Sequence, residues 1–379
     1  MKVLLMGGSG IISSEICNLA IKNGCDVTIM NRGLRKEKMN PLAKSIICDL
    51  KNESANSITR KLDPAGYDVI IDFVSYYREQ LQKMLSIVDG RCKQFIFISS
   101  ATAYISKSDG TKYTENDAIG NTGWQYAAEK ANCEKLIRES ANRYSFNYTI
   151  IRPYITYGET RIPYQVVPLS YYTLINRIVN NKPIPLFGKK VYCTLTTAED
   201  FAVGAVGLFL NPNAYGQAFH ITGECETTWE EVLITTAHLL EKEPIIVRLD
   251  TKELEPGTRK LGFDVEEIVC DKARNMLFDN QKIKSVVPEF EGKTRIEEAL
   301  VKSIDYFKNN ESKQIVDYAW DARIDAFLSK TGEVHDSDSI SIDSYSYELG
   351  EEERRTYLNN RSDFCYFTHK IINKLIRRQ

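Results

Sequence analysis

The 379-residue chain has no apolar run near the ~18 residues that a membrane span needs. The run at its start, Val3 to Met6, is broken at once by Gly7 and Gly8 and is too short for a secretory core segment. Nine cysteines stand singly, with no Cys-x-x-Cys pair and no Cys/His cluster. That excludes a disulfide framework and a zinc site, and it is the usage expected of reduced thiols in the cytoplasm. The four histidines, His220, His238, His335 and His369, lie far apart, so each is read as structural and no metal is expected. Charge of one sign is lacking too: 49 Lys and Arg face 51 Asp and Glu, a formal net charge of −2. The main domain has no basic cluster interleaved with aromatics. An electrostatic nucleic-acid binder is therefore not expected.

What is present is a length that suits one large or two intimate domains, with 43% apolar and 26% charged residues. "KVLLMG" (2–7), "DVTIMNR" (26–32), "AKSIICDL" (43–50), "YDVIIDFV" (67–74), "KQFIFISS" (93–100) and "NYTIIRP" (147–153) read as strands. "SEICNLAIKNG" (14–24) reads as a helix with a glycine stop, and helical spacing recurs between several of the strands. Strands that are apolar almost throughout, alternating with helices, predict a parallel sheet covered on both faces, an α/β doubly wound domain of Rossmann type. After Pro153 the rhythm changes. Residues 1–153 with about 192–222 are read as a dinucleotide-binding domain, and 154–191 with about 223–330 as a smaller substrate domain. Residues 331–379 are read as an acidic, Ser-rich linker followed by an amphipathic C-terminal helix. That helix puts Phe364, Phe367, Ile371, Leu375 and Ile376 on one face and carries Lys370, Lys374, Arg377 and Arg378. Docking on its own domain or a second subunit is the ordinary fate of such a stripe, and a membrane surface the rarer one.

"GGSGIIS" (7–13) lies between the first strand and first helix, the context a pyrophosphate-binding turn requires. Gly7 and Gly10 supply the permissive backbone, and Ser13 stands where a third glycine is usual. At the end of the second strand an NAD site normally has a carboxylate for the ribose 2′-hydroxyl. Here Asn31 and Arg32 stand there, which tilts the expectation modestly toward NADP, although Asn31 also suits a plain ribose. Asp49 is placed to receive an adenine amino group or to cap the next helix. In "GNTGWQYAAEKANCEKLI" (120–137), Tyr126 and Lys130 are four residues apart on one helix face. By themselves they fit a core tyrosine and a lysine as well as an acid–base pair.

With "FISSATAY" (97–104), "YTEND" (113–117), "YAAEK" (126–130), "IRPYITYG" (151–158) and "AEDFAVG" (198–204), these residues resemble the extended short-chain dehydrogenase/reductase family over about residues 1–325. The likeness is to its NAD-dependent epimerase/dehydratase, nucleotide-sugar epimerase-like group. It implies an enzyme in which Tyr126 is the acid–base, Lys130 its activator and holder of the nicotinamide ribose, and Ser100 a donor to the reacting oxygen. The expected cofactor set, for NAD or NADP, is Gly7, Gly10, Ile11, Ser13, Asn31, Arg32, Asp49, Leu50, Tyr126 and Lys130. It also implies a homodimer, paired through two helices that include the one carrying Tyr126.

Departures narrow the chemistry. Sugar 4,6-dehydratases have an Asp–Glu pair where this chain has Ala101 and Thr102, which cannot move the protons of a water elimination. An arginine that holds a nucleotide diphosphate in many members is Cys193 here, and an asparagine of the "RPxN" region is Ile155. Thr102, Glu115, Arg161 and Arg274 remain as substrate candidates, Glu115 serving equally as a turn cap. The resulting expectation is an epimerase acting on a sugar, nucleotide-linked by first preference, by proton abstraction and reversible hydride transfer. The alternatives are an NADPH-dependent ketoreductase of a sugar or related carbonyl, and a non-catalytic or RNA-binding protein on the same fold.

Overall fold

The alternation of the first strand sets the architecture. In Lys2–Met6 (β1), Val3 and Leu5 pack into one apolar layer, Leu4 and Met6 into another, and all four are buried. The same division recurs in Tyr67–Asp72 (β4), with Val69 and Ile71 against Ile70, and in Cys92–Ile98 (β5), with Ile96 and Ile98 against Phe95 and Phe97. A strand buried on both faces needs helices on both faces, and the chain supplies them. Ile11–Lys22 (α1) and Ala198–Gly207 place Ile16, Cys17, Phe201 and Ala205 in the first layer. Ala55–Lys61 (α2), Arg78–Val88 (α3) and Gln125–Ser140 (α4) place Ile58, Leu81, Leu85, Cys133 and Ile137 in the second.

The computed structural model describes residues 1–34, 39–107, 110–121, 123–254, 263–331, 342–363, 365, 366 and 368. With Asp26–Asn31 (β2), Lys44–Ile47 (β3), Asn147–Pro153 (β6) and a seventh strand, Gln217–Ile221, the sheet is parallel throughout. Its order is seventh strand–β6–β5–β4–β1–β2–β3, the doubly wound arrangement expected. Strand order reverses between β1 and β4, where Met6 is in register with Asp72. Ligands of such sheets bind in the crevice at the carboxyl ends of the strands on either side of that reversal.

The chain forms two units. The first comprises Met1–Gly158, Thr194–Glu226 and Met276–Arg295, the second Glu159–Cys193, Thr227–Asn275 and Ile296–Gln379. Residues 276–295, read from sequence as part of the substrate domain, thus fold with the sheet. Ile283, Val287 and Phe290 are buried in the layer of α1, an apolar commitment too short and irregular to reveal its partner by periodicity.

The second unit contains the helices Tyr172–Val179, Trp229–His238, Ile296–Asn309 and Tyr318–Thr331 and a parallel pair, Ile184–Phe187 with Ile246–Leu249. The acidic stretch read as a linker carries two more helices, Ile342–Glu348 and Glu351–Arg361. Three glutamates in the first turn of the latter oppose the positive end of its dipole, and Glu353 Oε2 accepts the Gly350 N–H at 3.0 Å. Tyr345 and Tyr357 pack with Ala322 in a small core of their own. The basic residues Lys370, Lys374, Arg377 and Arg378, and Phe364, Phe367, Ile371, Leu375 and Ile376 with them, lie outside the described residues, as do His335 and His369. No helix among the described residues is long and apolar enough to cross a membrane. They include no group of three potential metal ligands either, and none of the nine cysteines is in a disulfide.

Candidate active site

At the strand-order reversal the glycine loop closes on the segment after β4. Gly7 has φ +102°, and a β-carbon there would sit 2.4 Å from Val74 Cγ1. A β-carbon on Gly8 would stand 2.8 Å from Ile29 Cγ2, so Gly8 is constrained by packing as well, although the spacing pointed to Gly10. Gly10 is the N-cap of α1, with φ −90° and an open surround. Ser13, in the usual third-glycine place, is buried and turns its hydroxyl back. Oγ accepts the Gly10 N–H at 2.9 Å and donates to Gly10 O at 3.1 Å. Its small side chain is absorbed within the loop, which explains why serine is tolerated. Ile11 lies against Gly158, where a β-carbon would be 3.3 Å from Cδ1. These residues fit a dinucleotide: a bare-backbone turn leads into a helix N-terminus at the crevice.

The loop after β4 continues into the environment of Lys130. Lys130 is only 2% exposed, and its ammonium donates to Ser75 O at 2.9 Å and Ile98 O at 2.8 Å. It also lies over the rings of Tyr76 (4.8 Å), Phe97 (4.9 Å) and Tyr126 (6.0 Å). No carboxylate reaches it within ion-pair distance among the described residues. Burial therefore pulls its pKa down to about 8, against the opposing charge of Asp72. Tyr126, one turn earlier on α4, is half-buried between Trp124 (4.9 Å) and Tyr76 (6.1 Å). Tyr126 and Lys130 thus share one aromatic pocket, which their spacing alone could not establish.

Ser100 ends the segment after β5 and caps the turn Ala101–Ala103, its Oγ 2.9 Å from Thr102 Oγ1 and accepting the Thr102 N–H at 3.3 Å. Both hydroxyls are nearly buried. Beside them runs a network that the sequence did not announce. Glu134, one turn beyond Lys130 on α4, accepts Ser99 Oγ at 2.7 Å and takes Arg152 in two bonds, Nε at 2.8 Å and Nη2 at 2.6 Å. Arg152 Nη1 donates to Tyr104 Oη at 2.8 Å, and Tyr104 lies 3.0 Å from His220 Nδ1. His220 Nε2 is 2.7 Å from the Asp279 carbonyl. A carbonyl only accepts, so Nε2 carries the proton and Nδ1 accepts from Tyr104. Burial lowers the His220 pKa, which keeps the ring in that neutral form. Burial alone would lower the Arg152 pKa as well, but the bonds and charge of Glu134 outweigh it and the net shift is upward. The only advance signs were an arginine inside the apolar run "TIIRP" and a glutamate four residues after Lys130.

The remaining expected residues have local partners. Asn31 Oδ1 accepts the Gly33 N–H at 2.8 Å, and Arg32 is exposed. Asp49 accepts from Lys51 N and Asn52 N, both at 3.1 Å, and from Asn52 Nδ2 at 2.9 Å. These bonds, Asn52's foremost, lower its pKa, and they make it a turn-capping residue here. Leu50 is buried and its carbonyl accepts Lys83 Nζ at 3.0 Å. Glu115 accepts the His220 N–H at 3.1 Å, while the local turn is capped by Asp117, which accepts the Thr114 N–H at 2.7 Å. Arg161 and Arg274 belong to the second unit. Arg161 stacks on Tyr171 at 5.5 Å and makes no ion pair among the described residues, whereas Arg274 donates to Val269 O at 3.1 Å. Cys193 is fully buried and its thiol pKa is pushed up by burial, then by Asp271.

Comparison with known proteins shows the family and the fold. The model of the NAD dependent epimerase/dehydratase family matches residues 3–221, more than half of the chain. A UDP-glucuronic acid 4-epimerase from Bacillus cereus in complex with NAD is similar in structure, with a TM-score of 0.62 and 17% identity, covering 82% of this chain and 99% of that one. UDP-glucose 4-epimerase from Thermus thermophilus, also with NAD, gives 0.63 and 17%, over 81% and 99%. These likenesses show the fold. Among curated proteins, the chloroplast stem-loop binding protein of 41 kDa b from Arabidopsis thaliana is 26% identical over 281 residues, 68% of each chain. The chain belongs to the NAD dependent epimerase/dehydratase family, within the extended short-chain dehydrogenase/reductase fold.

Proposed function

We propose that the protein is an NAD-dependent epimerase of a sugar, with a nucleotide-linked sugar as the first substrate class to test. The observation that carries this is the buried Lys130, without an ion-pair partner among the described residues, set against Tyr126 at the crevice of a glycine-loop sheet. A buried ammonium without a contacting carboxylate costs stability, and a use at the site accounts for its being kept there. Beside a phenol it favours the phenolate, and lowering a tyrosine pKa from ~10 to ~7 takes about 4 kcal/mol of preferential stabilisation.

NAD, when bound, supplies a reversible hydride acceptor. The glycine loop at Gly7, Gly8 and Gly10 would hold its pyrophosphate, Asn31 with Arg32 its adenosine ribose, and Lys130 its nicotinamide ribose. Tyr126 takes the proton from a substrate hydroxyl and returns it after the ring has turned. Ser100, with Thr102 behind it, donates to the same oxygen. Arg32 keeps NADP, and with it net ketone reduction, as the variant reading.

Two experiments test this. Denaturing the purified protein and identifying released dinucleotide by mass spectrometry separates NAD from NADP. Incubation with NAD and UDP-glucose or UDP-glucuronic acid, followed by NMR of the sugar, should show the 4-epimer, and Tyr126→Phe should slow turnover by at least about a hundredfold. No epimer from either sugar and no affinity for a dinucleotide would sink the reading. The stem-loop binding relative motivates a second reading, RNA binding on this fold. A gel shift with a structured RNA at two salt concentrations distinguishes it, because phosphate contacts make such binding strongly salt-dependent.

A further inference from the structure

Asp72 closes β4 and is completely buried. A carboxylate at that depth in an apolar layer is costly, and neither the glycine loop nor the Tyr126 chemistry accounts for it. Its Oδ1 accepts two backbone donors, Val74 N–H at 2.8 Å and Ser75 N–H at 3.0 Å. Its Oδ2 has no hydrogen-bond partner among the described residues. Ser75 is the residue whose carbonyl receives the Lys130 ammonium at 2.9 Å. Phe73 N donates to Met6 O at 3.1 Å, which ties the same turn to the end of β1 just before the glycine loop. One carboxylate therefore sets the turn that packs on Gly7 and also presents a carbonyl to Lys130.

We infer that Asp72 is a positioning residue for Lys130: it fixes the turn whose Ser75 carbonyl receives the ammonium and, when ionised, adds negative charge beside it. The inference rests on Lys130 acting on the cofactor as proposed above. The other groups facing Lys130 are few. From its own helix come Tyr126, Cys133 and Glu134, from the loop Tyr76, and from β5 the ring of Phe97. Burial pushes the Cys133 thiol up to about 12 and raises the Tyr76 phenol, so neither titrates near pH 8. Glu134 is occupied by Arg152. Burial, foremost, raises the Asp72 pKa, and its bonds to Ser75 and Val74 and the charge of Lys130 oppose that rise. Ionised Asp72 raises the lysine pKa, so removing it lowers that pKa further.

The test measures NAD affinity by titration calorimetry from pH 6.5 to 10, in a Tyr126→Phe background that removes the phenol. The parent should lose affinity on the alkaline side with a midpoint near the Lys130 pKa of about 8. Asp72→Asn keeps an oxygen for the two N–H donors and removes the charge, so the midpoint should fall by about one pH unit with the melting temperature little changed. Asp72→Ser, which also keeps an acceptor for the turn, serves if the asparagine variant does not fold. Lys130→Arg holds its charge throughout and should flatten the profile. A midpoint unmoved in the Asp72 variants, with Lys130→Arg flat, would overturn the role of Asp72 and leave that of Lys130 standing. Absence of NAD binding in the parent, or a Lys130→Arg profile identical to the parent, would overturn both.

Discussion

Two buried lysines, one in each unit, have opposite surroundings. Lys182 in the second unit is 4% exposed and lies between two carboxylates, Asp321 Oδ2 at 2.6 Å and Asp325 Oδ2 at 2.5 Å. Arg177, fully buried, binds the other oxygens of the same pair at 2.5 and 2.8 Å. Tyr357 Oη donates to Asp325 at 2.6 Å, and the rings of Tyr345 and Tyr357 lie 4.0 and 5.0 Å from the ammonium. Two cations and two anions cancel, and the C-terminal helices close the cluster. Lys130 in the first unit is as deeply buried and has two carbonyls instead. Burial, first among the causes, pulls Lys130 down to about 8. At Asp325 burial acts upward, but Arg177 and Lys182 outweigh it and hold the carboxyl below its ordinary range. The contrast separates a charge that holds structure from a charge kept available: the first is neutralised in place, the second is not.

The comparison breaks most visibly at the paired lysine. Lys182→Met leaves two buried carboxylates sharing one arginine and should lower unfolding stability by about 3–5 kcal/mol in urea titrations, whereas Lys130→Met should stay near the parent. Equal losses at the two positions would erase the distinction. Next in size, Tyr357→Phe removes one charge-assisted bond and should cost about 1–3 kcal/mol, so the acidic C-terminal helices behave as part of the second unit. A melting curve indistinguishable from the parent would return them to the status of a linker. The smallest effect is in pH. The folded pKa of Lys130 lies below its ordinary value of 10.5, so between pH 8 and 10.5 the unfolded chain binds more protons than the folded one. Its contribution to stability therefore grows as pH rises through that window, and the growth should vanish in Lys130→Met when the urea midpoints of the two proteins are compared.

Particular residues show how far the sequence can be read. The strands of the first unit are legible because both faces are buried, so apolar runs bounded by glycines have few other uses. Gly7 and the Tyr126–Lys130 spacing are legible because short-range geometry fixes them. Gly8 does not stand out, since its need comes from Ile29 on the next strand. Residues 276–295 read as part of the second unit but fold with the first, because Val287 and Phe290 pack into the layer of a helix near the N-terminus. The acidic helices do not read as helices because their composition is that of a solvated segment. Their anchors, Tyr345 and Tyr357, reveal themselves only against Asp321, Asp325 and Lys182.

By itself, then, the sequence determined the parallel doubly wound sheet, the glycine loop between its first strand and first helix, and the helical face shared by Tyr126 and Lys130. These depend on period, burial and contacts a few residues apart. Only the tertiary structure decided which charges are paired. Glu134 meets Arg152 and Lys182 meets Asp321 across long stretches of chain, and Lys130 meets no carboxylate at contact distance among the described residues. Coulomb energy and desolvation depend on distance and depth in space, quantities that a linear order of residues does not contain.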